Sequence, residues 1–296
     1  MNASYIDYSE TGSFSPGLIS YLENDPKLDQ FRSFKADIEG FRELLNTQKF
    51  NIQREVLVEV LKEQYSKLPH QASATVTKNI ELLLNKDTFT VTTGHQLNIF
   101  TGPLYFIFKI VTAINLAKEL KISFPQKDFI PVYWMATEDH DFAEINHTYI
   151  AGKKITWDLE ASGATGRLNT NSIEKALKEY KAILGISENA QHLGEIITHA
   201  YTQNKNLADA SRYLVNALFE EYGLVILDAD DQRLKKQFAS LMYDDIIQQN
   251  SFKYISLSNK KLEETGIEPQ VNPREINFFY LKDELRERIA LEDDSY

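Results

Sequence analysis

The feature that most constrains this chain is a pair of strand-length apolar runs, TFTVTTG at 88–94 and FIPVYWMAT at 129–137, separated by one helix-length stretch. Short runs of β-branched and aromatic residues, bounded by turn or charged residues, mark buried strands. The stretch between them opens on Gly102-Pro103 and reads as a helix to about Leu120, with Pro103 in a first-turn position where its missing N–H costs nothing. At 1.5 Å per residue such a helix is about 27 Å long. Strand, helix and strand in this span form a βαβ unit, whose crossover is parallel and right-handed in nearly all cases. A third run, LVILDADD at 224–231, ends in acids and leads into a helix read over 232–249. The expected fold is therefore α/β, a Rossmann-like parallel sheet whose ligands sit beyond the carboxyl ends of the strands.

Around this core the chain divides by pattern. Residues 1–87 read as a helical cover on the core, with Ile38, Phe41, Leu44 and Leu45, and then Val56, Val60, Leu61 and Tyr65, at helical spacing. Residues 88–150 form the first part of the core, and 151–204 an insertion that starts with hairpin-like alternation and carries glycines at 152, 163 and 166. Residues 205–250 return to the core, and 251–296 begin a second insertion. The last segment, INFFYLKDELRERIALEDDSY, reads as two strands around a turn or a strand and a short helix. It stops in mid-pattern, so the chain is expected to be the N-terminal part of a longer protein.

Charge and composition narrow the class. Forty-three Asp and Glu against 32 Lys and Arg give a net charge of −11, which argues against a surface built for nucleic acid phosphates. The cysteine count is zero, so disulfides, zinc-thiolate sites, iron–sulfur clusters and thiolate nucleophiles are excluded from these 296 residues. The N-terminus, MNASYIDYSETGSF, lacks the basic flank and apolar run of a signal peptide, and a cytoplasmic location is expected. The most apolar stretch, 104–117, is interrupted by Lys109 and Asn115 and is too short to cross a bilayer.

Three clusters could carry chemistry. The loop TTGHQLNIFTGP, 92–103, lies between the first strand and its helix, where loop amides and a helix start favour a phosphate or carboxylate. His95 and Gln96 add two polar side chains there, although the glycines could equally serve the turn alone. The segment EDHDFAEINH, 138–147, follows the second strand. A helix starting early would set His140, Glu144 and His147 on one stripe, suited to a metal or to a base with its orienting partner. In the plainer reading Asp141 and Glu144 form a capping box. Asp228, Asp230 and Asp231 follow the third strand, where acids bind a ribose, a magnesium ion or an ammonium group, or cap a helix. Lys109, a lone cation on an apolar helix, reaches either solvent or an anion in the loop.

Four segments in this order, TVTTGHQLNIFTGPLYFIFKIVTAINLA, PVYWMATEDHDFAEINH, SRYLVNALFEEYGLVILDADD and QVNPREINFFYL, resemble the bacillithiol biosynthesis cysteine-adding enzyme family, BshC, in its Bacteroidetes-type form. The resemblance covers essentially the whole chain. It implies a class I synthetase-like or nucleotidyltransferase-like Rossmann core with two connecting-peptide insertions, followed by a coiled coil that forms a homodimer. It also implies a ligase reaction, joining the carboxyl group of L-cysteine to the amine of glucosaminyl-malate, with ATP as the expected cofactor and no metal assigned. The family's TGxQ…TGP segment falls on Thr93, Gly94, Gln96, Thr101, Gly102 and Pro103. Its EDHD…ExNH segment falls on Glu138, Asp139, His140, Asp141, Glu144, Asn146 and His147. No lysine-rich second synthetase signature is found.

On this basis His95, Gln96, Asp139, His140, Asp141, Glu144 and His147 are the expected catalytic residues. His95 and Gln96 suit activation and an oxyanion, while His140, Glu144 and His147 suit a base. Thr93, Gly94, Asn98, Gly102, Lys109, Glu138, Asn146 and Asp228 are the expected substrate- or nucleotide-binding positions. Two other classes fit the residues less well: a metal-dependent hydrolase using His140, Glu144 and His147, and a non-catalytic helical interaction protein.

Overall fold

The structure, a computed structural model, describes residues 4–47 and 53–292. In chain order the elements begin α1 (Pro16–Leu22), α2 (Ile38–Thr47), α3 (Arg54–Ser66), α4 (Ala74–Leu82), β1 (Thr88–His95), α5 (Tyr105–Ser123) and β2 (Asp128–Met135). Next come α6 (Phe142–Ile145), β3 (His147–Ile150), β4 (Lys153–Thr156), α7 (Glu174–Leu184), α8 (Glu188–Gln203), α9 (Leu207–Phe219) and β5 (Val225–Asp228). The chain continues with α10 (Gln232–Lys236), α11 (Ala239–Gln248), α12 (Asn250–Glu264), β6 (Phe279–Lys282) and β7 (Leu285–Arg288). The residues fall into two compact units, one built from the segments up to 51, 240–278 and 289 onward, the other from 52–239 and 279–288.

The second unit holds an α/β core. Its parallel sheet runs in the order β1-β2-β5, in register from Thr88 opposite Asp128 to His95 opposite Met135, and from Val132 opposite Val225 to Met135 opposite Asp228. The central strand β2 buries Ile130 to Tyr133 consecutively, as a strand covered on both faces must. Helix α5 is the crossover between β1 and β2. It buries Phe106, Ile110, Ala113, Ile114, Ala117 and Leu120, a stripe at helical spacing that packs on both strands. The antiparallel hairpin β3–β4 and the helices α7 and α8 lie between β2 and α9 in the chain.

The outward edge of β5 is closed by side chains. In a parallel strand every second residue turns its N–H and C=O away from its neighbour, and an unpaired buried peptide group costs about as much as a lost hydrogen bond. Here the Ile226 N–H donates to Tyr65 Oη at 2.9 Å, and the Ile226 carbonyl accepts from Arg212 at 2.8 Å. The Asp228 N–H donates to Gln64 Oε1 at 3.1 Å, while Gln64 Nε2 donates to the Asp228 carbonyl at 2.7 Å, so the amide pairs with the strand as another peptide would. Arg212 also donates to Gln64 Oε1 at 2.9 Å and lies over the Tyr65 ring. It is only 3 % exposed, and burial draws its pKa down against the nearby Tyr65, Asp228 and Asp209. Burial likewise pushes the Tyr65 phenol up to about 12.

The first unit is helical. Ser15 caps α1 by accepting from the Leu18 N–H at 3.3 Å. Helix α12 closes on a Schellman turn, with the Gly266 N–H on the Glu263 carbonyl and the Ile267 N–H on the Leu262 carbonyl.

Several sequence expectations are corrected. The stretch 232–249 is two helices, because α10 tightens into i−3 bonds at Gln237 and Phe238. The start of the expected second insertion, to which no element was assigned before the last segment, contains most of α12. Pro103 precedes α5 instead of filling its first turn, and its carbonyl accepts from the Phe106 N–H. Of the two readings of the last segment, the strand pair is the one that forms. The expected helical cover and final insertion also include 1–3, 48–52 and 293–296, which lie outside the described residues.

Replacing Arg212 by Met should strand the Ile226 carbonyl and one face of Gln64, lowering the unfolding free energy by about 2–4 kcal/mol. Urea unfolding checks this, the expected outcome being a lower midpoint with an unchanged slope.

Candidate active site

The loop between β1 and α5 is held in a conformation that most side chains avoid. Phe100, Thr101 and Gly102 have φ values of 53°, 70° and 55°, and of the three only glycine enters that region freely. Each of the other two costs on the order of 1–3 kcal/mol. The anchor is Phe100: its ring is 1 % exposed, packed against Tyr180 and Tyr201, and its N–H donates to Tyr201 Oη at 2.8 Å. The turn folds back so tightly that a Cβ on Gly102 would lie 2.4 Å from that of Asn98. Beyond it, α5 begins with no side-chain cap and no acidic residue in its first turn. A helix start of that kind leaves donors and a positive dipole end for an anion.

This loop delivers Gln96 to the carboxyl end of β2. Gln96 Nε2 donates to Asp139 Oδ2 at 2.8 Å and to Glu144 Oε2 at 2.7 Å, and Asn98 Nδ2 approaches the Glu144 carbonyl at 3.4 Å. One amide thus holds two carboxylates that would otherwise repel. Asp139 is tied again from its other oxygen, which accepts the His140 N–H at 2.7 Å and, more weakly, the Asp141 N–H at 3.4 Å. Burial alone would raise its pKa, but the bonds from Gln96, His140 and Asp141, with the charge of Arg286, bring it below the usual carboxylate value. Asp141 caps α6 by accepting the Glu144 N–H, while the Glu144 side chain turns to Gln96 instead of completing a capping box.

The histidines differ in what their partners allow. His95 Nδ1 lies 3.1 Å from the Gln96 carbonyl, which can only accept, so Nδ1 carries the proton and Nε2 keeps its lone pair. The ring is wedged by Tyr105 and Phe106. Burial lowers its pKa, the Gln96 carbonyl opposes this, and the Lys109 charge lowers it further. Lys109 stays exposed to solvent, as a snorkelling cation would, and its Nζ donates to the Gly94 carbonyl at 2.5 Å instead of reaching an anion. His147 opens β3, with Nδ1 3.0 Å from Asn146 Oδ1 and its ring on Tyr149. The expected stripe of His140, Glu144 and His147 does not form. Helix α6 spans only Phe142–Ile145, so one histidine precedes it and the other is already strand. Among the described residues no group of three or more His, Asp or Glu is disposed to hold a metal ion.

The acids after β5 serve a second junction. Thr137 Oγ1 donates to Asp228 Oδ1, which also accepts the Asp230 N–H at 3.0 Å, tying the ends of β2 and β5 together. Asp230 pairs with Arg167 at 2.9 Å and with Lys235, and Asp231 caps α10 and pairs with Arg233. Glu138 leaves Oε2 buried without a hydrogen-bond partner; burial raises its pKa, with Asp230 and Asp228 adding to the rise and Lys235 opposing it. Thr93 sits within β1 opposite Tyr133, and Asn146 ends α6.

Sequence reasoning missed Thr137, Arg167, Lys235, Tyr201 and Arg286. Arg286 Nη1 lies 2.7 Å from His140 Nδ1, though 146 positions separate the two in the chain. No local pattern signals such a contact.

A parallel sheet with a helical crossover, and polar side chains gathered at its carboxyl ends, where such folds place their ligands, define a Rossmann-like α/β domain. The family described as "Bacillithiol biosynthesis BshC, N-terminal Rossmann-like domain" matches residues 1–296, and the chain belongs to it. A relative from Flavobacterium psychrophilum, named "Putative cysteine ligase BshC", is 48% identical over 98% of this chain and 55% of its own length. Relatives of the same name from Flavobacterium johnsoniae and Bacillus cytotoxicus are 45% and 29% identical, covering 98% and 93% of this chain and 55% and 52% of their own lengths. The chain spans about half the length of the curated relatives it matches.

Two measurements test the site's architecture. Tyr201→Phe leaves the Phe100 N–H buried and unbonded and should cost about 1–3 kcal/mol in urea unfolding. The His95 imidazole should titrate by NMR below the free value of about 6.5. The unfolded chain then takes up its proton first, so stability should fall as pH drops from about 6.5 towards the folded pKa, and His95→Gln should flatten that slope.

Proposed function

We propose that this chain is the Rossmann-like half of a cysteine ligase, which joins the carboxyl group of L-cysteine to the amine of glucosaminyl-malate at the strand-end crevice. The observation that carries this reading is the Gln96 amide holding Asp139 and Glu144 together beside the uncapped start of α5. Amide formation needs an activated carboxylate, a site for an anionic oxygen and a base for the incoming ammonium. The two carboxylates suit the ammonium group of a substrate. The backbone donors at the start of α5 suit an anionic oxygen, and His95, with Nδ1 committed to a carbonyl, offers Nε2 as the base.

ATP fits the same place, since a phosphate would meet the α5 dipole where no acidic side chain competes in the first turn. When bound it supplies the activation of the carboxylate. Gly94, Thr101 and Gly102 then line the approach of the nucleotide, and Glu138 and Asp228 flank the amine side. The reading carries with it a cytoplasmic site of action and a homodimer of the longer protein through a coiled coil. The described part has no helix long and apolar enough to cross a membrane. A metal-dependent hydrolase would need the histidine stripe that the four residues of α6 leave unmade.

Calorimetry on this chain, with L-cysteine and with ATP, should give saturable heats, weakened at least 10-fold by Gln96→Leu; flat titrations with both overturn the reading. In the Flavobacterium psychrophilum relative, alanine at the position aligned with His95 should lower the rate of ligation by about 10²–10⁴-fold, the range for a general base.

A further inference from the structure

The hairpin of β6 and β7 brings a cation to the crevice from far along the chain. Arg286, on β7, stacks on the Phe279 ring of β6 with its guanidinium carbon 3.9 Å from the ring centroid. Its Nη1 lies 2.7 Å from His140 Nδ1. The hairpin turn is seated by a close approach: a Cβ on Gly163 would stand 2.7 Å from the Asp283 carbonyl oxygen, and Gly163 has φ of 71°. Two residues further on, the Thr165 N–H donates to the Asp139 carbonyl at 2.6 Å, so the loop that seats the hairpin also holds the backbone beside His140.

The geometry points to Arg286 as a positioning residue that selects the tautomer of His140. A guanidinium has five donors and no acceptor, so His140 Nδ1 must present a lone pair to it, and the ring proton resides on Nε2. A second arrangement is at hand. Asp139 Oδ1 lies 3.4 Å from the same Nδ1, and without Arg286 that carboxylate, an acceptor only, draws the proton to Nδ1. Arg286 therefore decides whether the outward Nε2 donates or accepts. With the hairpin seated it donates, and His140 is suited to holding a carboxylate or phosphate oxygen of a substrate, leaving His95 as the base. The role at a substrate rests on the ligase reading above; the tautomer itself does not.

The experiment is two-bond ¹H–¹⁵N correlation NMR on the whole chain, labelled at histidine, without substrates, at pH 8. His140→Gln identifies the His140 signals among the six histidines. The expected result is an unprotonated Nδ1 and a protonated Nε2 in the wild type, with the pattern inverting in Arg286→Met. Gly163→Ala, which pushes the hairpin turn away while keeping Arg286, should invert it too, so the test survives if one variant fails to fold. A wild-type ring protonated on Nδ1, or signals unchanged in the folded variants, overturns the proposal. Failed substrate binding would sink the ligase reading and leave these signals as they are, so the two failures are distinguishable.

Discussion

The α/β unit depends on how the last strand of its sheet ends. β5 is four residues long, and its outer edge faces helices, which offer no ladder of peptide groups. Gln64, Tyr65 and Arg212 supply the missing partners, and in doing so bind α3 and α9 to the strand through its backbone. A buried guanidinium is costly unless its donors are used, and these are used on a carbonyl and an amide oxygen. Hydrophobic burial alone would leave the strand free to slide; directional bonds set its position along the helices, and hence the height at which Asp228 meets Thr137.

The crevice follows from that alignment. One crosslink, Thr137 to Asp228, joins the ends of β2 and β5, and another, Gln96 to Asp139 and Glu144, joins the segments that follow β1 and β2. Both are made by neutral groups that accept or donate without adding charge to a crowded acidic region. The strained turn at Phe100 and Thr101 is tolerated because a buried aromatic ring and the Tyr201 hydroxyl hold it. Strain of this kind is stored where a loop must place a side chain against its own preference. Here the side chain is Gln96.

Much of the fold was legible in the chain. The runs 88–94 and 129–137 became β1 and β2 within a residue or two. β2 is buried as its composition implies, whereas β1, at the edge of the sheet, buries only Thr88 and then alternates part-buried and exposed residues, which corrects its reading as a buried strand. The helix between them was legible from the run of helix length that follows Gly102-Pro103. Harder to read was the segment 138–147, where carboxylates and histidines fit a metal stripe, a capping box or a binding site equally well. Helix α6 stops after four residues, and just past its end the Asn146 carbonyl accepts the Trp157 N–H at 2.7 Å, a contact from the residue after β4 that local sequence does not show. Helix α12 escaped notice although Phe252, Ile255 and Leu262 fall at helical spacing and are half-buried, a weak stripe in which no residue is fully buried.

Local composition and periodicity determined the parallel α/β core, the polar character of the strand ends and the identity of most residues at the crevice. Only the tertiary structure decided which of them share bonds, and so what state each is in. Gln96 reads as a loop residue until Asp139 and Glu144 are beside it, and His140 reads as a base until Arg286 arrives from 146 positions away. The reason is physical: secondary structure is set by interactions a few residues apart, whereas a tautomer or a pKa is set by whichever charge lies within a few ångströms in space.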